Sequence, residues 1–301
     1  MITWQKFFSQ LDNYSPTIYE AFPECSQAKP QFRHRAFTGS RLYYSVYRMI
    51  ADDLVEKDQV IDPGAFPGTF LRLCRKVFFK DRNLRLYGAG LVLPDTEKSY
   101  RLKAGECPDI HFIASDLPFL DYYKSLGITF LNADFDHCFT PDFEIPAELA
   151  NKFQAVTCME VIEHLHTPYK LITTIDYLLK PGGICVLETN NVANICGVLK
   201  LMFANQSNLD FEIAECYERD GYSPKRPHLR FYSLKELGRL LKKTGLEIEH
   251  SSSFSWSIPS EICARFDWKE SLRSLLFKIF PDRQSHIVVK ARKPRCLYGQ
   301  S

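Results

Sequence analysis

The clearest hydrophobic pattern lies mid-chain, where an apolar run, a polar cluster, a stripe of period three to four and a second apolar run follow one another. Residues 153–158 (FQAVTC) are long enough for a buried strand. Pro168 suits the first turn of a helix, where its missing N–H would be unpaired in any case. Leu171, Ile172, Ile175, Leu178 and Leu179 then share one helical face. Lys180 brings the favoured charge to the helix end, and Pro181-Gly182-Gly183 forbids continuation. Residues 184–187 (ICVL) form the second apolar run. Two buried strands joined by a helix predict a parallel βαβ unit. In such sheets ligands bind beyond the carboxyl ends of the strands. Glu160, Glu163 and His164 lie at one such end, and residues 188–191 lie at the other.

Upstream, residues 1–35 are aromatic and interrupted by Pro16, Pro23 and Pro30, which suggests short helices and loops. Residues 40–56 read as a helix with Leu42, Val46, Met49, Ile50 and Leu54 on one face. Residues 1–56 are therefore expected to cap a main domain of residues 57–301. Val60 and Ile61 enter a strand that Asp62 ends, Gly64 and Gly68 bracket a loop, and residues 69–79 read as a helix. A second strand over residues 84–87 enters Gly88-Ala89-Gly90. Residues 91–108 suggest an inserted hairpin. Residues 110–114 then read as a strand ending at Asp116, 117–126 as a helix, and 128–131 as a strand ending near Asp134.

Downstream, residues 192–208 resemble a helix with a loop. The aromatic stretch of residues 210–230 reads as a lid, within a lid region spanning 191–232. Ser233-Leu234-Lys235-Glu236 spells a capping box, backed by Leu237, Leu240 and Leu241. Leu246, Ile248 and His250 alternate as a strand, and Ile287, Val289 and Ala291 as a last one. Between them residues 254–283 form a substrate-side insertion. The whole is an α/β fold in which a parallel sheet ends in an antiparallel pair.

Composition narrows this little. The chain has 301 residues, net charge +2, and no apolar run near the roughly 20 residues that span a bilayer. The near-balanced charge gives no clear nucleic-acid footprint. The N-terminus lacks a basic start followed by an apolar block, so no secretion signal is read. Ten cysteines form no CxxC pair, which suits free thiols in a reducing cytoplasm.

The glycine loop after the first strand suggests a nucleotide-type ligand, because glycines admit close approach and a helix N-terminus offers N–H groups. Its spacing is not GxGxxG: Phe66 stands where the middle glycine would be. Asp62 directly before the loop would repel a pyrophosphate and suits a cationic ligand, such as a sulfonium amino acid with a free ammonium group. A purely structural turn explains the same glycines. Asp116 and Gly90 compete for the ribose contact at a strand end, and Asp116 serves equally as a helix cap.

With these pieces placed, the chain resembles class I S-adenosylmethionine-dependent methyltransferases. The matching segments are VIDPGAFPGT (60–69), FLNADF (130–135), QAVTCMEVIEHL (154–165), LLKPGGICVLETNN (178–191) and HLRFYSLKELGRLLKKTGLEIE (228–249). They point to the group that includes the ubiquinone-biosynthesis O-methyltransferases. The resemblance implies a Rossmann-like seven-stranded sheet of order 3-2-1-4-5-7-6, with the seventh strand antiparallel. It implies S-adenosylmethionine as cofactor and a small-molecule or glycan acceptor. The cofactor contacts would come from Asp62, Gly64, Phe66, Gly68, Gly88, Asp116, Asp134, Cys158, Met159 and Glu160.

Methyl transfer from a sulfonium is an in-line displacement that needs little covalent machinery. An oxygen or nitrogen acceptor still has a proton to lose, and His164, Glu163 and His228 are the candidate bases. Each has a plainer explanation, since a carboxylate near a helix N-terminus is favourable through the dipole alone. No metal is assigned. In the alternative, Glu160, Glu163 and His164, at i, i+3 and i+4, share a helical face and bind a divalent cation with His228, as in the similar small-RNA 2′-O-methyltransferases. A cofactor-binding protein without catalysis is a further alternative, in which Phe66 and Gly90 mark a degraded site.

Overall fold

The computed structural model describes residues 1–10, 29–65, 68–90, 123–136, 145–204, 228–255 and 268–295. In chain order the elements are α1 (Trp4–Gln10), α2 (Lys29–Ile50), β1 (Gln59–Pro63), α3 (Thr69–Leu73), β2 (Arg85–Gly90), β3 (Ile128–Asn132), β4 (Phe153–Met159), α4 (Pro168–Leu178), β5 (Leu179–Asn190), α5 (Ile195–Ala204), α6 (Leu234–Lys242), β6 (Glu247–Phe254), α7 (Trp268–Ile279) and β7 (His286–Arg292). The strands form one seven-stranded sheet in the order β3-β2-β1-β4-β5-β7-β6. The first five are parallel, and β7 runs antiparallel between β5 and β6. This is the expected topology. No helix among the described residues is long and apolar enough to cross a membrane.

Both sheet faces are covered, which is why the central strands read as solid apolar runs. Alternation deals their side chains to two cores. Val60, Leu86, Ala155, Ile184, Val186 and Val288 join Leu42, Val46, Leu71 and Phe78 on one face. Ile61, Ala89, Val156, Cys158, Cys185, Leu187 and Val289 join Leu171, Ile175, Leu237 and Leu241 on the other. The N-terminal helices belong to the first core. Phe7 is fully buried, and Tyr47 stacks on Phe78 with ring centroids 4.4 Å apart. Asp53, just past α2, accepts Lys290 Nζ at 2.6 Å and Arg292 Nη2 at 2.5 Å from β7.

Several boundaries differ from expectation. The helix expected over 40–56 begins at Lys29 and ends at Ile50. Pro30 is tolerated because it lies in the first turn. The helix expected over 69–79 is α-helical only to Leu73 and continues as a π turn, Cys74–Phe78. The segment Pro181-Gly182-Gly183 does not lie outside the strand but inside it. Gly182 has φ +80°, and the pairing of β4 with β5 slips between Phe153 and Ala155, so these residues form a bulge. Lys180 therefore caps no helix and instead pairs with Asp58 at 3.0 Å. The second strand runs through Gly90 rather than stopping at Tyr87. The capping box is present as written, with Ser233 and Glu236 bonded reciprocally.

Phe66, the segment expected as a hairpin and strand over 91–114, Asp116, and most of the lid (205–227) lie outside the described residues.

Candidate active site

The site is built at the carboxyl ends of β1, β4 and β5 and the adjoining start of β7. Position in the pleat selects its members. On β1, Asp62 follows Val60 onto the first core's face, and on β4 Thr157 follows Ala155 onto it. Asp62 is 3 % exposed and, among the described residues, accepts one hydrogen bond, from Thr157 Oγ1 at 2.9 Å. Burial pushes its carboxyl up to about 8, against the pull of that hydrogen bond. Tyr43 of α2 belongs to the same neighbourhood, and its hydroxyl is raised by burial and by the charges of Asp62, Glu160 and Glu188. Sequence reasoning missed Tyr43, because a tyrosine on an apolar helix face gives no signal of its own.

The loop after β1 is tightly fixed. Gly64 has φ +78°, and an added Cβ would lie 2.1 Å from Val161 Cγ2. Gly68 has φ +81°, and its Cβ would lie 1.7 Å from the Tyr123 hydroxyl. Both conformations and both contacts demand glycine. The N–H groups of Gly64 and Ala65 both donate to Ala89 O, at 2.7 and 3.2 Å, so they are spent on the sheet. Gly88 lies inside β2, where a Cβ would meet Phe130 at 2.9 Å and Ala65 at 3.1 Å. It lets β2 pack under the loop. Gly90 differs, since its Cβ would meet only Phe130, at 3.5 Å. Asp134 follows β3, and its Oδ1 accepts the Asp136 N–H at 3.0 Å. Cys158 is fully buried in the second core, and burial raises its thiol well above the usual range, so only its backbone can face a ligand.

The acid–histidine segment is not a helix. After β4, Glu160 takes φ +56°, a left-handed conformation uncommon for a residue with a side chain. Only Ile162–His164 forms a 3-10 turn. The expectation that Glu160, Glu163 and His164 share one helical face is therefore wrong: the reversal at Glu160 sends its carboxylate away from the other two. Two separate groups result. In the first, donor atoms of Glu163, His164 and His228 lie within 4.8 Å of one another; in the second, those of Glu160, Glu188 and His286 do.

In the first group Glu163 is fully buried and both its oxygens are engaged, by Thr189 Oγ1 at 2.8 Å and Asn190 Nδ2 at 3.2 Å. Burial, then the charges of Glu160 and Glu188, raise its carboxyl well above the ordinary range. Its backbone carbonyl accepts Leu229 N–H at 2.8 Å and Arg230 N–H at 3.3 Å. Glu163 thus ties the segment after His228 to the end of β5. The rings of His164 and His228 lie 4.6 Å apart.

In the second group His286 Nδ1 lies 2.9 Å from Glu188 Oε1 and 3.2 Å from Glu160 Oε1. Burial alone would lower the imidazolium, but hydrogen bonds to Glu160 and Glu188 raise it. Burial and then the Glu160 charge raise the Glu188 carboxyl; at Glu160 the burial effect is outweighed by His286. Phe254 stacks on the His286 ring at 5.6 Å. The sequence pointed to the strand end at 188–191, but not to His286, which arrives from almost a hundred residues away.

The arrangement fits S-adenosylmethionine on structural grounds. A buried carboxylate at Asp62 has a hydroxyl as its hydrogen-bond partner, and Glu188 Oε2 is buried with no hydrogen-bond partner among the described residues. Such a cleft favours a ligand that carries positive charge.

The methyltransferase-domain family matches residues 32–251. Over 138 residues the chain is 30 % identical to the ubiquinone biosynthesis O-methyltransferase of Xanthomonas axonopodis pv. citri (strain 306), a stretch covering 46 % of this chain and 53 % of that protein. It is 28 % identical over 114 residues to the protein of the same name from Chromobacterium violaceum, covering 38 % and 45 %. The chain thus spans about half the length of the curated relatives it matches. Among solved structures it is similar to Haemonchus contortus phosphoethanolamine N-methyltransferase 2 in complex with S-adenosyl-L-methionine, at 18 % identity and TM-score 0.47, covering 80 % of this chain and 50 % of that one. With the domain match covering most of the chain, including β1 to β5, the chain belongs to the methyltransferase-domain family and has the class I, S-adenosylmethionine-dependent fold.

Proposed function

We propose that this chain transfers a methyl group from S-adenosylmethionine to an oxygen or nitrogen of a small-molecule or glycan acceptor. The observation that carries this is Asp62, buried below a glycine-fixed loop on the sheet face it shares with Glu188. A carboxylate there suits an ammonium group. Asp62, Gly64 and Gly68 would hold the amino-acid part, Asp134 the adenine side, and Met159 with Glu160 the reacting end. When bound, the cofactor supplies an electrophilic methyl whose leaving group is neutral.

The residues of the chain contribute mainly position and exclusion of water. Orientation of this kind is worth as much as about 7–11 kcal/mol in well-aligned reactions. For an acceptor that must lose a proton, His164 and His228 are the bases this reading favours. Glu163 positions them, since both its oxygens are already engaged. Relatives named for O-methylation support an oxygen acceptor. The balanced charge supports a small acceptor over RNA. The buried, unpaired thiols of Cys74, Cys158 and Cys185 support a reducing, cytoplasmic setting.

Calorimetric titration with S-adenosylhomocysteine tests the reading. Micromolar binding, weakened at least tenfold in Asp62→Asn, is expected. Absence of binding by the folded protein would overturn it.

A further inference from the structure

Two neighbouring side chains of β5 serve opposite faces of the sheet. Thr189 points to the face where Glu163 holds it, while Glu188 points to the other face, as Ile184 and Val186 do. On β7, His286 shares that face with Val288, and its cross-strand partner is Asn190. Glu160 completes the set from the end of β4 through its left-handed backbone. Three strand ends thus converge on one point with two carboxylates and one imidazole, and this set shares no residue with the Glu163–His164–His228 group.

Two carboxyl groups face a single imidazole, and their ion pairs among the described residues are with that same ring. Glu188 is fully buried, and its Oε2 has no hydrogen-bond partner among the described residues. A buried carboxylate with an unused oxygen is costly unless a cation or donor meets it. The spacing suits a cation. Metal–ligand bonds of about 2.1 Å place neighbouring donors roughly 3.0 Å apart in an octahedron and 3.4 Å apart in a tetrahedron. The His286 Nδ1 to carboxylate distances, 2.9 and 3.2 Å, have this length. The Glu160 side chain is 30 % exposed and leaves a path from solvent.

We propose that Glu160, Glu188 and His286 form a divalent-cation site of the manganese type, with positions left open for water or an oxygen of the acceptor. Two oxygens and one imidazole nitrogen, with no thiolate, select this class over softer metals. The site lies beside Glu160 at the reacting end, so a cation in it would lower the pKa of a bound hydroxyl and orient it. The site does not rest on the methyl-transfer reading, because metal binding can be measured without the cofactor.

The test is electron paramagnetic resonance of Mn(II) titrated into the purified full chain. One bound equivalent is expected, with affinity falling at least tenfold in Glu188→Gln and in His286→Ala and staying within twofold in His228→Ala. A folded wild-type protein that leaves the free Mn(II) signal unchanged would overturn the proposal. So would binding lost in His228→Ala but kept in His286→Ala, which would place the ion in the other group. Should the strand-end variants fail to fold, the double variant His164→Ala/His228→Ala decides: an imidazole-nitrogen coupling to bound Mn(II) must persist there, and its loss would overturn the site.

Discussion

Gly64 and Gly90 lie at the ends of neighbouring strands, yet a methyl group meets very different surroundings at each. At Gly64 it enters Val161 on a backbone with positive φ; at Gly90 it reaches ordinary contact with one ring atom of Phe130. Gly64→Ala is expected to cost about 1–3 kcal/mol, and Gly90→Ala to stay within about 0.5 kcal/mol. Denaturant unfolding measures both, and equal losses would contradict this account of the loop. Asp62 carries a second prediction at this scale. Its folded pKa is raised from 3.8 to about 8, so its contribution to stability is fully present below pH 4 and is lost as pH rises through 8. Asp62→Asn removes that ionisation. The melting temperature of this variant should gain on wild type as pH goes from 5 to 8 without cofactor, while its binding of S-adenosylhomocysteine is weakened at least tenfold. In wild type that affinity should rise towards pH 8, because the ionised carboxylate is the form that meets an ammonium group.

Among the elements, α6 and the turn after β4 show two degrees of legibility. The capping box of α6 is local, four residues with both hydrogen bonds made inside them, and it forms as its spelling requires. Ser233→Ala should cost about 1 kcal/mol, measured by chemical unfolding. The segment from Glu160 to His164 has helical spacing, but it does not fold as a helix. Its shape is set by partners far along the chain: Thr189 and Asn190 for the Glu163 carboxylate, Leu229 and Arg230 for its carbonyl. Glu163→Ala would strand the buried Thr189 hydroxyl and loosen the segment at His228. A loss of about 1–3 kcal/mol is expected, with binding of S-adenosylhomocysteine weakened far less than by Asp62→Asn. An equal loss of binding in both variants would show that Glu163 contacts the cofactor itself.

At the scale of the whole molecule, the N-terminal helices and the sheet share one core. Phe7 is fully buried against Tyr44 and Phe78, and Asp53 joins both cations of β7. Phe7→Ala should cost about 3–5 kcal/mol. Calorimetry should show a single transition shifted down as a unit rather than early melting of the first helices. The coupling also reaches the site, because α2 carries both Val46 into this core and Tyr43, whose hydroxyl feels the Asp62 charge.

The sequence by itself determined the strand order through its family motifs, and most elements through periodicity, since a strand buried on both faces and an amphipathic helix are fixed by short-range pattern. It also marked Asp62 and the strand ends as the place to look. Only the tertiary structure decided which acids meet. The alternation of β5 separates Glu188 from Thr189, the backbone reversal at Glu160 divides the acid–histidine string, and β7 brings His286 to a cluster nearly a hundred residues upstream. Pairings across such distances depend on register and backbone direction, which no local spacing encodes.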